Sequence, residues 1–155
     1  MKKRDYKTLA WVIAAEGHIG FNHNRNSYCP VMEVGNAKEE FILKVQKMVG
    51  LGNIYSWEDR RFDGRYSNWR LTNMKDIRQI LVNIFPYLPI KYQVANHIIN
   101  FCTSRMSKKE DGRKHRNYTD YELYCVNRVK ELNKRRKPVV DRANKLLYGI
   151  TNEQD

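Results

Sequence analysis

Two stretches of the chain alternate polar and apolar residues with a period of two, and each is followed by a segment with helical periodicity. In HIGFNHN, Ile19 and Phe21 share one face, and His18, Gly20, Asn22 and Asn24 share the other. In YSNWRL, Trp69 and Leu71 lie on the face opposite to the polar one. Alternation of this kind predicts half-buried strands, whereas apolar residues three or four apart predict a helix. Because the same order occurs twice, the fold has to combine two hairpins with helices that cover one side of them.

The hairpins are predicted from their turn signals. NRNS separates HIGFNHN from YCPVMEV, and an Asp-Gly pair in RFDGRY separates NIYSW from YSNWRL. A helix, AKEEFILKVQKMVG, follows the first hairpin and ends at Gly50. Another helix, MKDIRQILVNIF, follows the second hairpin, with Asn73 as its N-cap. The residues of this helix that we expect to face the core are Ile77, Ile80, Leu81, Ile84 and Phe85.

The rest of the chain is predicted to be helical. One helix lies in YLPIKYQVANHIINFC, and Thr119 and Glu122 have capping-box spacing at the start of the next. Pro138 opens a last short helix. With the helix that ends at residue 15, the order predicts an α+β fold of the form αββαββα, with a four-stranded antiparallel sheet and additional C-terminal helices.

Length and composition restrict the class of protein. A chain of 155 residues suits one domain, so we expect a single unit over 1–155 whose residues 134–155 are a basic C-terminal extension. The three cysteines are an odd number without CxxC spacing, which argues against a disulfide framework or a zinc site. No apolar run reaches membrane-spanning length. We therefore expect a soluble intracellular protein, cytoplasmic or organellar, that uses neither a membrane nor a small-molecule substrate.

The charge balance indicates a polyanionic partner. The chain has 29 Lys and Arg against 17 Asp and Glu, a formal net charge of +12. Ten tyrosines and three tryptophans favour a nucleic acid over other polyanions. Two segments are candidate phosphate contacts, the alternative for each being a solvated surface. The first contains Lys108, Lys109, Arg113, Lys114 and Arg116. The second contains Lys134, Arg135, Arg136 and Lys137.

The outward face of the predicted sheet is unusually rich in amide, aromatic and arginine side chains. Asn and Arg can read adenine and guanine edges in the major groove, and Glu can accept from cytosine. A two-stranded ribbon is also narrow enough to enter that groove. The candidate DNA-contacting residues are Asn22, Asn24, Asn26, Glu33, Tyr55, Trp57, Tyr66, Asn68 and Arg70. Two alternatives remain: a solvated sheet face, or an unrelated α+β RNA-binding protein whose exposed aromatic residues stack on bases.

The helix before the first hairpin, LAWVIAAEG, ends on a carboxylate and a glycine. A negative charge is unfavourable at a helix C-terminus, so a bound cation explains Glu16 better than a local hydrogen bond does. Carboxylate oxygens are ligands that Mg²⁺ prefers, usually together with phosphate oxygens of a substrate. Glu16 is therefore the first candidate for a metal ligand.

This nine-residue segment resembles the signature of the LAGLIDADG homing endonucleases, position for position. The residues that match are Leu9, Ala10, Ile13, Ala15 and Gly17, with Val12 and Glu16 as conservative replacements. A second segment, PYLPIKYQVAN, resembles the part of the single-motif, homodimeric members that carries their active-site lysine, which falls on Lys91. The resemblance covers roughly residues 5 to 134.

The resemblance implies a homodimeric endonuclease that cuts a long, near-palindromic double-stranded DNA target across the minor groove and leaves short 3′ overhangs. It implies Mg²⁺ as the cofactor, with Mn²⁺ or Ca²⁺ able to replace it for binding. Glu16 and the backbone carbonyl of Ala15 would be metal ligands, and Glu16, Lys91 and Asn36 would be catalytic, Asn36 by positioning the attacking water. The helices of two copies would meet along a seam formed by Leu9, Ala10, Trp11, Ile13 and Ala14.

Two positions depart from the signature. Ala14 replaces the first acidic residue, and Trp11 replaces a glycine. A non-cleaving relative, acting as an RNA maturase or as a DNA-binding regulator, is therefore the alternative function. For Lys91, the alternative is an exposed lysine on a helix.

Overall fold

The computed structural model describes residues 1–24, 27–59, 64–107 and 117–134. These residues form an α+β fold in the predicted order αββαββα, which is extended by two further helices. The elements are α1 (Lys3–Ala15), β1 (Gly17–Asn24), β2 (Ser27–Asn36), α2 (Glu39–Val49), β3 (Asn53–Asp59), β4 (Gly64–Leu71), α3 (Met74–Ile84), a short 3₁₀ helix (Phe85–Tyr87), α4 (Tyr92–Ser107) and α5 (Asp120–Asn133).

Several predictions concern residues outside the described ranges. They include the predicted base contact Asn26, the basic loop from Lys108 to Arg116, and the helix opened by Pro138. Of the basic C-terminal residues, Arg135 and Arg136 also lie outside, whereas Lys134 is described and is exposed directly after α5.

The four strands form one antiparallel sheet in the order β1-β2-β4-β3. β2 and β4 are the central strands, and each hairpin adds one edge strand. Gly17 is opposite Val34 where β1 begins, and Met32 is opposite Leu71 where β2 meets β4. The predicted sheet is therefore confirmed, and the two hairpins pair through their second strands.

The inner face of the sheet forms one side of the core, as the alternation predicts. Ile19, Met32, Val34 and Trp69 each expose at most one per cent of their surface. The buried Trp69 indole N–H donates a hydrogen bond to the Leu51 carbonyl at 2.8 Å, so its only polar group is paired. Burial of alternate residues sets the register, because a shift by one position would bring the polar face inside.

The helices α3 and α5 begin where their capping signals indicate. Asn73 caps α3, and its Oδ1 accepts from the N–H groups of Lys75 and Asp76 at 3.0 and 3.2 Å. The capping box of Thr119 and Glu122 starts α5. The prediction for the core face of α3 is confirmed at Ile77, Ile80, Leu81 and Ile84.

The prediction for Phe85 is wrong, since this side chain keeps 36% of its surface exposed. The physical reason is that α3 ends at Ile84 and the chain tightens into the 3₁₀ helix around Pro86. The narrower turn places Phe85 off the buried stripe that the α-helical spacing would have continued.

The C-terminal helices α4 and α5 pack against the first hairpin through aromatic rings. The rings of Phe21 and Phe101 lie 4.7 Å apart, edge to face, and the Tyr28 N–H donates to the Tyr118 hydroxyl at 2.7 Å. Below this contact, the fully buried Glu122 accepts from the Ser104 hydroxyl and from the Thr119 N–H, each at 2.9 Å. These contacts join the start of α5 to α4 and to the first hairpin.

None of the helices within the described ranges is long and apolar enough to cross a membrane.

The N-cap of α3 provides a test of the fold. Asn73→Ala leaves two N–H groups of the first turn without their acceptor, so we expect the free energy of unfolding to fall by about 1 kcal/mol. Asn96→Ala is the matched control, because Asn96 is exposed within α4 and alanine is the better helix former there. Urea denaturation of both variants measures the difference. A free energy of unfolding of Asn73→Ala equal to that of the unmodified protein would show that the Asn73 side chain does not cap α3.

Candidate functional site

The junction between α1 and β1 is compact. The Glu16 N–H donates to the Val12 carbonyl at 2.9 Å and ends the helix, while the Glu16 side chain is exposed. Gly17 follows at once as the first residue of β1. A Cβ atom at Gly17 would lie 2.7 Å from the Ile13 Cα, so only glycine lets the chain turn this close to the helix.

Lys91 reaches this junction from the other half of the sequence. Its Nζ donates to the carbonyls of Ile13 at 2.8 Å, of Ala14 at 3.0 Å and of Gly17 at 2.6 Å. Burial lowers the pKa of the Lys91 ammonium group, and the negative charge of Glu16 opposes that shift. Lys91 directly precedes α4 and has a φ of 65°, the left-handed region. It is therefore not the exposed helix lysine of the alternative interpretation.

The carbonyl groups at the end of α1 accept hydrogen bonds from two donors, the Glu16 N–H and Lys91 Nζ. The carbonyls of Val12 and Ile13 accept from the Glu16 N–H, and those of Ile13 and Ala14 accept from Lys91. Among the hydrogen bonds of the described residues, none is made to the Ala15 carbonyl. The Ala15 carbonyl oxygen and the exposed Glu16 carboxylate, which the family resemblance implies as metal ligands, are therefore among the oxygens left at the end of this helix.

The donor set fits a hard divalent cation only in part. Carboxylate and carbonyl oxygens suit Mg²⁺ and Ca²⁺, and Mg²⁺ commonly binds through one or two carboxylates plus phosphate oxygens. Within the described part of the chain, however, His, Cys, Asp and Glu do not gather in groups of three or more that could hold a metal ion. A cation at Glu16 would therefore need oxygens from outside this chain.

A cleft of about 570 Å³ opens beside the junction. It is lined by Gly17, His18, Lys91, Tyr92, Gln93, Val94, Leu132 and Asn133. A Cβ atom at Gly20 would lie 2.6 Å from His18 Nε2 and 3.2 Å from Asn133 Nδ2, so both side chains lie over this glycine. Asn133 also donates from Nδ2 to the Ile19 carbonyl at 2.9 Å, which joins the end of α5 to β1.

Asn133 was not among the predicted site residues. Its position depends on the packing of α5 against the first hairpin, for which the sequence contains no local signal. Asn36, by contrast, was predicted and lies at the same end of the sheet as Gly17, two positions beyond the Gly17–Val34 pair. Its Oδ1 accepts from the Lys38 N–H at 2.8 Å, and within the described residues no hydrogen bond joins it to Glu16.

The outward face of the sheet carries the predicted contact residues that the structure describes. Asn22, Asn24, Glu33, Tyr55, Trp57, Tyr66, Asn68 and Arg70 all alternate with the residues that face the core. Tyr55 and Trp57 expose 52% and 43% of their surfaces, respectively, and the rings of Trp57 and Tyr66 lie 5.2 Å apart.

One row of polar residues crosses all four strands near the junction. His18 is opposite Glu33, Glu33 is opposite Arg70, and Arg70 is opposite Asn53. Glu33 Oε1 lies 2.9 Å from Arg70 Nε, and both side chains are partly exposed. Two residues that were predicted as separate base contacts therefore form an ion pair, in which the Arg70 Nε contact lacks hydrogen-bond geometry.

The prediction of the seam on α1 requires a correction. Leu9, Ala10 and Ile13 expose none of their surface and Ala14 exposes 6%, because this stripe packs into the core of the chain itself. Of the five predicted residues, Trp11 alone is exposed, with 64% of its surface accessible. The sequence pattern identified an apolar stripe on α1, but it did not show whether this stripe faces the core or another copy. The exposed residues of α1 are Lys3, Arg4, Lys7, Thr8, Trp11 and Ala15.

Comparison with solved structures identifies the fold. No protein-family profile and no curated protein matches the sequence. The homing endonuclease I-CvuI in complex with its target superposes with a TM-score of 0.64 at 18% identity, over 94% of this chain and 96% of that chain. The archaeal intron-encoded homing endonuclease I-Vdi141I, complexed with DNA, gives a TM-score of 0.66 at 10% identity, over 96% of this chain and 98% of that chain.

A third similar structure is the LAGLIDADG meganuclease I-CpaMI bound to uncleaved DNA, with a TM-score of 0.61 at 16% identity. The match covers 97% of this chain but 51% of that chain, so this chain corresponds to about half of I-CpaMI. The predicted fold is confirmed by these neighbours: the chain has the fold of the LAGLIDADG homing endonucleases.

Proposed function

We propose that this chain is a site-specific endonuclease for double-stranded DNA that acts as a homodimer and hydrolyses phosphodiester bonds with the help of a divalent metal ion. The observation that carries the proposal is the end of α1. There, the exposed Glu16 carboxylate and the Ala15 carbonyl, to which the described residues donate no hydrogen bond, lie directly before the first strand of the sheet. The solved neighbours I-CvuI, I-Vdi141I and I-CpaMI are homing endonucleases or meganucleases in complex with DNA.

The metal would be held by Glu16 and by the Ala15 carbonyl, with Mg²⁺ as the proposed ion. I-CvuI was crystallised with DNA in the presence of Ca or of Mg, which is consistent with the use of a divalent metal ion. When bound, such an ion activates water and stabilises the leaving oxygen. Asn36 would position the attacking water from the adjacent end of the sheet.

The shortage of ligands in one chain supports the dimer. Within the described residues, Glu16 and the Ala15 carbonyl are too few ligands for a metal, but a second copy brings another Glu16, and the DNA brings phosphate oxygens. Pairing through the exposed face of α1 would bring the two Glu16 residues together, with Trp11 in the middle of the seam. Two copies related by a two-fold axis would read a near-palindromic target. Cleavage across the minor groove would leave short 3′ overhangs.

The sheet would contact the DNA target. Its outward amide, aromatic and arginine side chains suit base edges, and the net charge of +12 suits the phosphate backbone. Lys134, exposed next to Asn133 at the rim of the cleft, would add a phosphate contact. Arg70 would be a base contact, with Glu33 as its ion-pair partner.

The catalytic assignment is tested by Glu16→Gln. This change keeps the shape of the side chain and removes the charge that binds the metal, so we expect Mg²⁺-dependent cleavage to fall by at least about 100-fold. DNA binding in Ca²⁺ should change by only a few fold. The target is first selected from a randomised DNA library by cleavage with the unmodified protein in Mg²⁺.

Glu40→Gln is the control, since Glu40 is exposed on α2. Cleavage that survives Glu16→Gln would contradict the catalytic role. Binding to a specific site without any cleavage by the unmodified protein would favour a DNA-binding regulator. Preferential binding of a structured RNA would favour a maturase.

The base contact is tested by Arg70→Lys, which keeps the charge and loses the bidentate fork. We expect preference at one base pair, and its symmetry mate, to weaken by about 5- to 150-fold, the range of one bidentate contact. Lys134→Met should instead weaken binding to all sequences alike and reduce the salt dependence. Binding profiles over single-base variants of the target distinguish the two. A uniform effect of Arg70→Lys would identify Arg70 as a phosphate contact.

The dimer is tested by Trp11→Glu, which places a carboxylate from each copy in the seam. We expect dimerisation to weaken by at least about 10-fold, since the loss of a buried aromatic contact costs more than about 1.4 kcal/mol. Leu43→Glu is the control, because Leu43 is an exposed apolar residue on α2. Sedimentation equilibrium measures both variants. A monomeric unmodified protein, with and without target DNA, would rule out the dimer.

A further inference from the structure

All three N–H groups of the Lys91 side chain are already used. An ammonium group has three donors, and Nζ has three carbonyl partners between 2.6 and 3.0 Å. A neutral amine has only two N–H groups, so this arrangement requires the charged form. A phosphate or a water molecule could receive a hydrogen bond from Lys91 only if one of these carbonyls were given up.

The position of the ammonium group matches a need of α1. The last turn of a helix leaves carbonyl groups without intrahelical partners, and the helix dipole makes this end negative. α1 has no basic residue in its own last turn. Lys91 supplies that positive charge from the segment before α4, and it also binds the carbonyl of Gly17 beyond the helix.

The backbone of Lys91 begins α4 at the same time. The Lys91 carbonyl accepts from the Ala95 N–H at 2.9 Å, the first hydrogen bond of that helix. Its φ of 65° is strained for any residue other than glycine, and such conformations persist only where the surrounding contacts hold them. The three carbonyl contacts are the holding contacts here, so one residue connects the end of α1, the start of β1 and the start of α4.

We propose that Lys91 is a positioning residue that selects the metal ligands, rather than a catalytic residue that touches the DNA. By occupying the carbonyls of Ile13, Ala14 and Gly17, it leaves the Ala15 carbonyl and the exposed Glu16 carboxylate for the metal ion. The ammonium group and the metal thus divide the oxygens at the end of α1 between them. The role of Lys91 in holding the end of α1 concerns the free protein. Its effect on the metal ligands rests on the proposed metal-dependent function.

The experiment compares Lys91→Met, which removes all three donors, with Lys91→Gln, which keeps two. Lys47→Met is the matched control, because Lys47 is an exposed lysine in the last turn of α2. Hydrogen–deuterium exchange of peptides over residues 12–17 is measured on the full chain without DNA or metal. We expect exchange at the Glu16 N–H to rise by about 10-fold in Lys91→Met and by less in Lys91→Gln, with no change in Lys47→Met.

A second readout is the Ca²⁺ concentration needed for binding of the selected target, with cleavage in Mg²⁺ measured in parallel. We expect Lys91→Met to raise the half-saturating Ca²⁺ by about 10- to 100-fold, the range for residues that orient metal ligands. The Mg²⁺ needed for cleavage should rise in proportion, and saturating Mg²⁺ should restore part of the rate.

The outcomes separate the possible failures. Unchanged exchange over residues 12–17 and unchanged Ca²⁺ dependence, with a cleavage rate that Mg²⁺ does not restore, would overturn the inference and place Lys91 at the reacting phosphate. If the unmodified protein cleaves no DNA, the proposed function fails, but exchange still tests whether Lys91 holds the end of α1. If Lys91→Met does not fold, Lys91→Gln must show the smaller rise in exchange, and the absence of any rise would contradict the positioning role.

Discussion

The end of α1 is the constraint on which the rest of the site depends. A helix that stops in a cleft leaves carbonyl oxygens that must find partners, and here the partner is a lysine that lies 74 to 78 residues further along the chain. Satisfying these oxygens with Lys91 fixes where α4 starts and how closely β1 can follow the helix. In the proposed function it also leaves the oxygens of Ala15 and Glu16 for the metal ion. The chemistry of the junction is therefore a consequence of how one helix end is satisfied.

The sheet adds a second constraint, because its two faces have opposite requirements. The inner face needs tight apolar packing around Trp69, and this packing sets the register of all four strands. Once the register is set, it also fixes which outward residues are neighbours on adjacent strands. Glu33 has to lie between His18 and Arg70, which turns two candidate base contacts into an ion pair and brings a histidine to the edge of the cleft.

Much of the fold could be predicted because its signals are local. The alternation in both hairpins, the Asn73 cap and the capping box at Thr119 each depend on residues within a few positions of one another. Two predictions failed for the same physical reason. Whether Phe85 continues a buried stripe, and whether Ala10 faces the core or another copy, depends on what packs against the helix, and helical periodicity gives only the stripe.

The sequence by itself determined the α+β class, the polar outward sheet face, and Glu16 at the end of an apolar helix, because all three are written in the spacing and chemistry of neighbouring residues. Only the tertiary structure decided that the stripe with Ala10 and Ala14 belongs to the core, that Asn133 lines the cleft, and that Lys91 binds three carbonyls. Each of these depends on groups far apart in the chain that packing brings within a few ångströms. Spacing along the sequence contains no information about such distances.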